Sequence, residues 1–452
     1  MYIKQGDPMI IMKFGGTSVG SPERIIQAAD IIKAKSKENP FVVLSAVGGI
    51  TDKLIESGEK AVEGTIDSKE IIDKHISILK ALNLPETLVD KELDELDTLL
   101  QGISMLQEIS KKTMDRLQSF GERMSVRIMA EYLKKTGTKA VAYAAYDLGL
   151  RTDDHFGEAV PLKETFSTVK ANLSDLDHIP IITGFIAKTK KDEITTLGRG
   201  GSDYTAALIG MIIDAKEIQI WTDVDGVMSC DPRLVDNVKN IEQLSFDEAT
   251  ELSFFGAKVL HPKTIWPAVE KNIPVRVLNT HNPTHIGSVI LKETTAKCKI
   301  NEEKGSCVKV ISFKKNVTLV NIHSLRMLDA HGYLAKIFDI FAKHKVSVDM
   351  IATSEVDVSM TIDKTDNLDS AIVELSHFSE VKVEKNKAIV CIVGEGIESS
   401  PKTPGVLFNT LADLNIQPEM ISQGSSEINI GLVIDMKHLE KAVKSLHKKF
   451  FE

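Results

Sequence analysis

Two stretches of this sequence set cationic side chains into glycine loops. Lys13-Phe14-Gly15-Gly16-Thr17-Ser18 closes an apolar run and precedes a helical pattern. Adjacent glycines let backbone N–H groups approach a phosphate, and a following helix N-terminus adds a favourable dipole. Lys13 adds a point charge for a β- or γ-phosphate. The lysine precedes the glycines, so the spacing is not that of a P-loop. A strand–Gly-Gly–helix turn is equally compatible with a tight connection. Thr196-Leu197-Gly198-Arg199-Gly200-Gly201-Ser202-Asp203-Tyr204 also joins a strand to a helix. Ser202 is a natural N-cap and Asp203 suits the first helical turn. A cap needs neither an arginine nor three glycines, and an arginine in such a loop fits carboxylate or phosphate recognition.

Four further motifs are more ambiguous. Ser119-Phe120-Gly121-Glu122-Arg123 matches a capping box that would open a helix through Met124, Ile128 and Met129. Ser45-Ala46-Val47-Gly48-Gly49-Ile50-Thr51 is a small-residue turn or a ligand loop. The run from Trp221 to Met228, followed by Cys230-Asp231-Pro232-Arg233, contains the turn formers Asp225-Gly226 and Asp231-Pro232. A calcium loop is excluded there because the later acidic ligands are missing. In Phe255-Gly256-Ala257-Lys258-Val259-Leu260-His261-Pro262, Lys258 sits among apolar and small residues, and no other histidine has ligand spacing to His261.

The elements that must hold these loops alternate in type. Strand-like runs fall at Met9–Phe14, Phe41–Ser45, Ala140–Ala144, Ile179–Thr183, Glu217–Thr222 and Val275–Leu278. Several are wholly apolar, as parallel strands covered on both faces are. Helical patterns such as Pro22–Lys35 and Asp203–Ile213 follow most of them, and Lys69–Lys112 reads as a mostly helical insertion. The alternation predicts an α/β domain of three layers around a mostly parallel sheet. A polar segment at Thr294–Ser306 marks a boundary. Beyond it Phe338–Ile351 matches Phe408–Ile421, and Val358–Asp363 matches Ile430–Asp435. Each copy reads strand, helix, strand, strand, helix, strand, and units this small are expected to pack on each other.

At 452 residues the chain is too long for one core, and 42% hydrophobic with 26% charged residues places it among soluble globular proteins. A net charge of −9 disfavours nucleic acid and anionic membrane as partners, so an anionic ligand must meet a local basic site. The N-terminus lacks a signal-peptide pattern and no apolar run is long enough to cross a bilayer. Cys230, Cys298, Cys307 and Cys391 form no C-x-x-C pair and are expected to be free thiols in a cytoplasmic protein.

In order and spacing, Lys13–Ser18, Ser119–Arg123, Leu197–Asp203, Trp221–Asp223 and Phe255–Pro262 resemble the aspartokinases of the amino acid kinase family. Asn316-Val317-Thr318-Leu319, His323-Ser324-Leu325, Ser347-Val348-Asp349 and Thr353-Ser354-Glu355 resemble the first ACT domain of its lysine-sensitive branch. The resemblance covers nearly the whole chain. It implies an amino acid kinase fold over residues 1–295, and two ferredoxin-like ACT domains over 306–385 and 386–452. The activity implied is transfer of the γ-phosphate of ATP, with Mg²⁺ on its phosphates, to the side-chain carboxylate of L-aspartate. No protein-held metal is implied. By position, Lys13, Phe14, Gly15, Gly16, Thr222, Asp223, Met228, Arg233, Lys258 and Val259 would hold the nucleotide. Thr51, Glu122, Arg199, Ser202 and Asp203 would surround aspartate, with Lys13, Asp203 and Lys258 catalytic. The tail would bind L-lysine as a feedback inhibitor through Met327, Ala330, Tyr333, Leu334, Val348, Asp349, Thr353 and Glu355. It would also pair copies into a homodimer or a dimer of dimers. The sequence departs from the family pattern at Met228 (often Tyr), Asp225 (often Pro) and Ala330 (often Ser). Two alternatives stay open. One is a kinase of the same family acting on glutamate, acetylglutamate, carbamate or a nucleotide. The other is a silent amino-acid sensor, against which Lys13, Arg199, Asp203 and Lys258 are all intact.

Overall fold

The computed structural model describes residues 9–174, 176–255, 262–294, 307–328, 331–397, 400–423 and 428–452. The chain divides into two compact units: Met1–Val227 with Glu242–Phe246 and Val259–Glu293, and Met228–Ile241 with Asp247–Lys258 and Thr294–Glu452.

The first unit contains strands β1 (Ile10–Phe14), β2 (Pro40–Leu44), β3 (Ala140–Tyr143), β4 (Arg151–Thr152), β5 (Ile179–Thr183), β6 (Ile186–Thr189), β7 (Ile194–Thr196), β8 (Glu217–Thr222), β9 (Gln243–Ser245), β10 (Val275–Asn279) and β11 (Ser288–Leu291). Its helices are α1 (Pro22–Ala34), α2 (Ile50–Val62), α3 (Lys69–Ala81), α4 (Asp90–Leu106), α5 (Lys111–Lys135), α6 (Phe166–Leu173) and α7 (Gly201–Ile213), with α8 (Phe246–Phe254) running across the division and α9 (Pro262–Lys271) after it. Eight strands form one sheet in the order β3-β5-β2-β1-β8-β10-β11-β9. Every pair is parallel except β10 with β11. Both β1 and β2 are buried at every residue, as helices on both faces require. Alternate β1 residues face opposite layers. Ile10, Met12 and Phe14 join a core with α1, α2 and α5, whereas Ile11 lies against Gly210 of α7. All six expected strands are present, and the Lys69–Lys112 insertion is the pair α3 and α4. The small sheet β4-β6-β7 was not foreseen.

The second unit carries β12 (Val310–His323), α10 (Tyr333–Lys343), β13 (Ile351–Thr353), β14 (Asp357–Ile362), α11 (Leu368–Leu375), β15 (Glu380–Val393), α12 (Lys402–Asp413), β16 (Met420–Ser422), β17 (Asn429–Asp435) and α13 (Leu439–Phe451). The two repeats share one antiparallel sheet, ordered β13-β14-β12-β15-β17-β16. They interlock. The first half of β15 ends the first repeat and its second half begins the second. Val310–Lys314 of β12 borders the second repeat by pairing with Ile389–Val393. Of the described cysteines, Cys230 and Cys391 are free and buried. Cys307 is disulfide-bonded, contrary to the expected free thiol.

Candidate active site

A cleft of about 1220 Å³ opens in the first unit, lined by residues from the carboxyl ends of β1 and β2, from α2 and α5, and from the loop into α7. Lys13 ends up there because β1 holds it in register with Val43 and Ile220. The residue is nine-tenths buried, and its ammonium lies 2.6 Å from Asp203 Oδ1 in the first turn of α7. The Gly15-Gly16 and Gly48-Gly49 turns meet back to back. A side-chain carbon on Gly48 would stand 2.9 Å from the Gly16 carbonyl oxygen, so the site can close only with glycine at that position. Thr51, at the start of α2, and buried Ser202 line the same cleft. Arg199 also lines it, exposed and without a carboxylate partner among the described residues. Asp203 falls in the first helical turn as expected. Ser202 does not cap, because α7 starts one residue earlier behind Gly200.

Glu122 corrects the capping-box reading. The helix begins at Lys111, where Ser110 Oγ accepts from the Thr113 N–H. Ser119 is therefore in mid-helix, and its hydroxyl donates to the Arg116 carbonyl at 2.7 Å. Glu122 is free for other work. It is 3% exposed, accepts from the Ala46 N–H at 3.1 Å through Oε1, and keeps Oε2 without a partner. Burial pushes its carboxyl up to about 8. The other member of the motif, Arg123, turns away to Glu95 on α4 at 2.8 Å and lies over the Phe120 ring. Lys111, Met114, Asp115, Gln118 and Glu122 line the cleft from one helical face, a spacing visible in the sequence once the helix start is set at Lys111. His155 and Phe156, which reasoning from motifs missed, also line it.

The residues expected around the nucleotide are more dispersed. Phe14 stacks on Trp221 inside the core, with ring centroids 5.9 Å apart, so only its backbone can face a ligand. Gly15 donates to the Trp221 carbonyl at 3.4 Å. Thr222 and Asp223 end β8, with the Thr222 hydroxyl donating to Asp223 at 3.1 Å. Asp225 serves as a turn anchor for the Asn279 and Asn282 amides. Met228 and Arg233 belong to the second unit, where Arg233 is exposed and chelated by Asp231 at 2.6 Å. Lys258 and Val259 lie outside the described residues, as do Gly256, Ala257, Leu260 and His261.

In the tail, Tyr333 and Leu334 open α10, and the Tyr333 ring meets Phe378 edge-on. The Tyr333 hydroxyl is buried without a partner among the described residues. Met327 and Val348 pack against the core of the first repeat. Thr353 and Glu355 are exposed. Asp349 is paired with Lys314 Nζ at 2.7 Å, and Lys314 also reaches Asp363 at 3.1 Å. Ala330 lies outside the described residues.

Comparison with known proteins agrees with this geometry. The model of the Amino acid kinase family matches residues 8–279, and an ACT domain model matches 320–375 and 390–450. The chain is 41% identical over 463 residues to Aspartokinase 1, chloroplastic, of Arabidopsis thaliana, covering 98% of this chain and 80% of that protein. It is 35% identical over 462 residues to Lysine-sensitive aspartokinase 3 of Escherichia coli (strain K12), covering 98% and 99%. The crystal structure of E. coli aspartokinase III in complex with aspartate and ADP (R-state) superposes with a TM-score of 0.80 at 32% identity, covering 98% of this chain and 100% of that one. The complex of that enzyme with lysine and aspartate (T-state) gives 0.77 at 33%, again covering 98% and 100%. No helix among the described residues is long and apolar enough to cross a membrane.

Proposed function

This chain belongs to the aspartokinases of the amino acid kinase family, and from that premise we propose how its cleft divides the work of phosphorylating L-aspartate. One observation carries the reading: Lys13, Thr51, Glu122, Arg199, Ser202 and Asp203, drawn from distant stretches, line a single cleft. A side-chain carboxylate is ionised at neutral pH, so the nucleophile needs no general base. Catalysis then rests on placement and on neutralising the charge that spreads over the transferring phosphoryl group. Lys13 supplies that charge, and Asp203 holds its ammonium in place. Arg199, without a carboxylate partner among the described residues, clamps the α-carboxylate of aspartate in fork geometry. Glu122 receives the α-ammonium at its unpartnered Oε2, with Thr51 and Ser202 completing the pocket. The Phe14 backbone, Gly15, Gly16, Thr222 and Asp223 are proposed to face ATP, and the resemblance adds Met228, Arg233, Lys258 and Val259. Mg²⁺, bound mainly through the phosphates, would neutralise their charge.

Glu122 makes aspartate binding depend on pH. Its carboxyl is held neutral up to about pH 8, and an ammonium ligand needs the carboxylate. Apparent aspartate affinity should therefore rise with pH from about 6 to about 8, by up to about tenfold per unit. In Glu122→Gln the KM for aspartate should be raised and this slope lost. A KM profile across that range tests it, and an unchanged slope would return Glu122 to a packing role.

For the tail, we infer feedback inhibition by L-lysine. Amides at the N-terminus of α10, at Tyr333 and Leu334, suit an amino-acid carboxylate, and Asp349 would take its ammonium in exchange for its present partner Lys314. Met327, Ala330, Val348, Thr353 and Glu355 complete this reading. Exposed Leu325, Leu328, Leu334 and Ile351 support pairing of two copies through the first repeat. Aspartate-dependent ADP release, titrated with lysine, threonine, methionine and diaminopimelate, should respond to lysine. Inhibition by threonine with none by lysine would refute the effector assignment, and a monomeric mass with lysine inhibition retained would refute the pairing.

A further inference from the structure

Asp115 has no part in the roles above, yet its buried carboxylate ties together the wall of the cleft that carries Arg199. It sits on α5 two turns before Glu122, on the same face, and is 1% exposed. Oδ2 accepts from the Gly157 N–H and from the Thr196 N–H, each at 2.9 Å, and Oδ1 accepts from the Thr196 hydroxyl at 2.9 Å. Two loops meet at this carboxylate. One is 154–158, which lines the cleft through Asp154, His155, Phe156, Gly157 and Glu158. The other follows Thr196 directly and bears Arg199 three residues on. They are also joined to each other by the Ala159 N–H donating to the Thr196 carbonyl at 2.9 Å. Further contacts extend the brace, with the Thr152 hydroxyl 2.7 Å from that of Thr195.

We propose that Asp115 is a positioning residue for the acceptor substrate: it fixes the Arg199 loop at a set height above α5, so that the Arg199 guanidinium and the Glu122 carboxyl stand the right distance apart for one amino acid. The geometry explains why the residue is acidic. Three donors converge on its two oxygens, and only a carboxylate can accept from all of them without presenting a donor of its own. Burial raises the carboxyl, whereas the donors from Gly157 and Thr196 lower it, the pattern of a carboxylate held inside a wall rather than offered to solvent. The proposal rests on the reading of Arg199 and Glu122 as the two ends of the aspartate site, and it adds the part that sets their separation.

The experiment is a double-mutant cycle on the full-length enzyme, read as KM for aspartate, KM for ATP and kcat. Asp115→Asn turns one acceptor into a donor facing N–H groups, and should raise the KM for aspartate by about tenfold or more while leaving the KM for ATP within about twofold. Thr196→Val removes only the hydroxyl contact and should shift the same parameter in the same direction by less. In an Arg199→Ala background, Asp115→Asn should add little, because the group it positions is gone. Thermal unfolding of each variant accompanies the kinetics. Additive effects in the cycle would overturn the proposal, and so would equal rises in both KM values. If Asp115→Asn proves too unstable to assay, Thr196→Val carries the cycle alone, and a change in its melting temperature with unaltered aspartate KM would overturn it equally. An Arg199→Ala variant with normal aspartate KM would instead bring down the underlying site assignment.

Discussion

Lys13→Ala is expected to lower kcat by about 10²–10³-fold with a much smaller change in the KM for aspartate, the loss typical of removing one preorganised electrostatic group from a reaction centre. The reasoning starts from the strand. Buried parallel neighbours fix β1, so the ammonium at its carboxyl end has little freedom, and Asp203 at 2.6 Å removes most of what remains. A charge held in that way is stabilising where negative charge develops and requires no reorganisation when it does. Lys13→Arg keeps the charge but replaces a compact ammonium by a planar fork, and should recover only part of the rate. Single-turnover kinetics separate the chemical step from binding and release. A kcat within about tenfold of the parent in Lys13→Ala would remove the lysine from the transition state.

The second large effect is on stability. Lys309 and Glu248 form an ion pair at 2.8 Å with both side chains almost fully buried, and Glu248 also accepts from the Glu395 N–H at 2.6 Å. Removing one partner takes the counter-charge from a buried ion, which costs about 3–5 kcal/mol. Lys309→Met should therefore lower the melting temperature of the second unit by on the order of 10 °C. The double replacement of Lys309 by Met and Glu248 by Leu should recover much of the loss, because an apolar pair of similar volume is often neutral. Calorimetry on the three variants tests this. A single variant no less stable than the parent would mean that the pair contributes nothing net.

Much of the first unit could be read from the sequence because its signals are local. Apolar runs bounded by glycine turns gave β1, β2, β5 and β8 nearly to the residue, since strands covered on both faces cannot hide their composition. The error at Ser119 has a physical cause. The Ser119–Glu122 spacing matches a capping box, but the segment lies in mid-helix, and residue 121 is glycine because a side-chain carbon there would stand 2.6 Å from Ala46 Cβ. The glycine answers to packing against the Ser45–Thr51 loop, and packing leaves no mark on a helical period. The strands β4 and β7 escaped notice because two or three residues carry no periodicity. The strand bordering the second repeat was missed for another reason: Val310–Lys314 precedes the domain it borders, and no local pattern encodes that long-range pairing. The resemblance implied that Lys13 and Asp203 are catalytic without giving their contact, whereas Asp115 was invisible because its partners, two backbone amides and a hydroxyl, lie far away in sequence.

The most direct test of the account is to trap the product. With ATP and L-aspartate, hydroxylamine should convert the acyl phosphate to β-aspartyl hydroxamate in step with ADP release. Both signals should fall together in Lys13→Ala, and L-glutamate should give neither. ADP release without hydroxamate, or hydroxamate formed equally well by the Lys13→Ala variant, would contradict it.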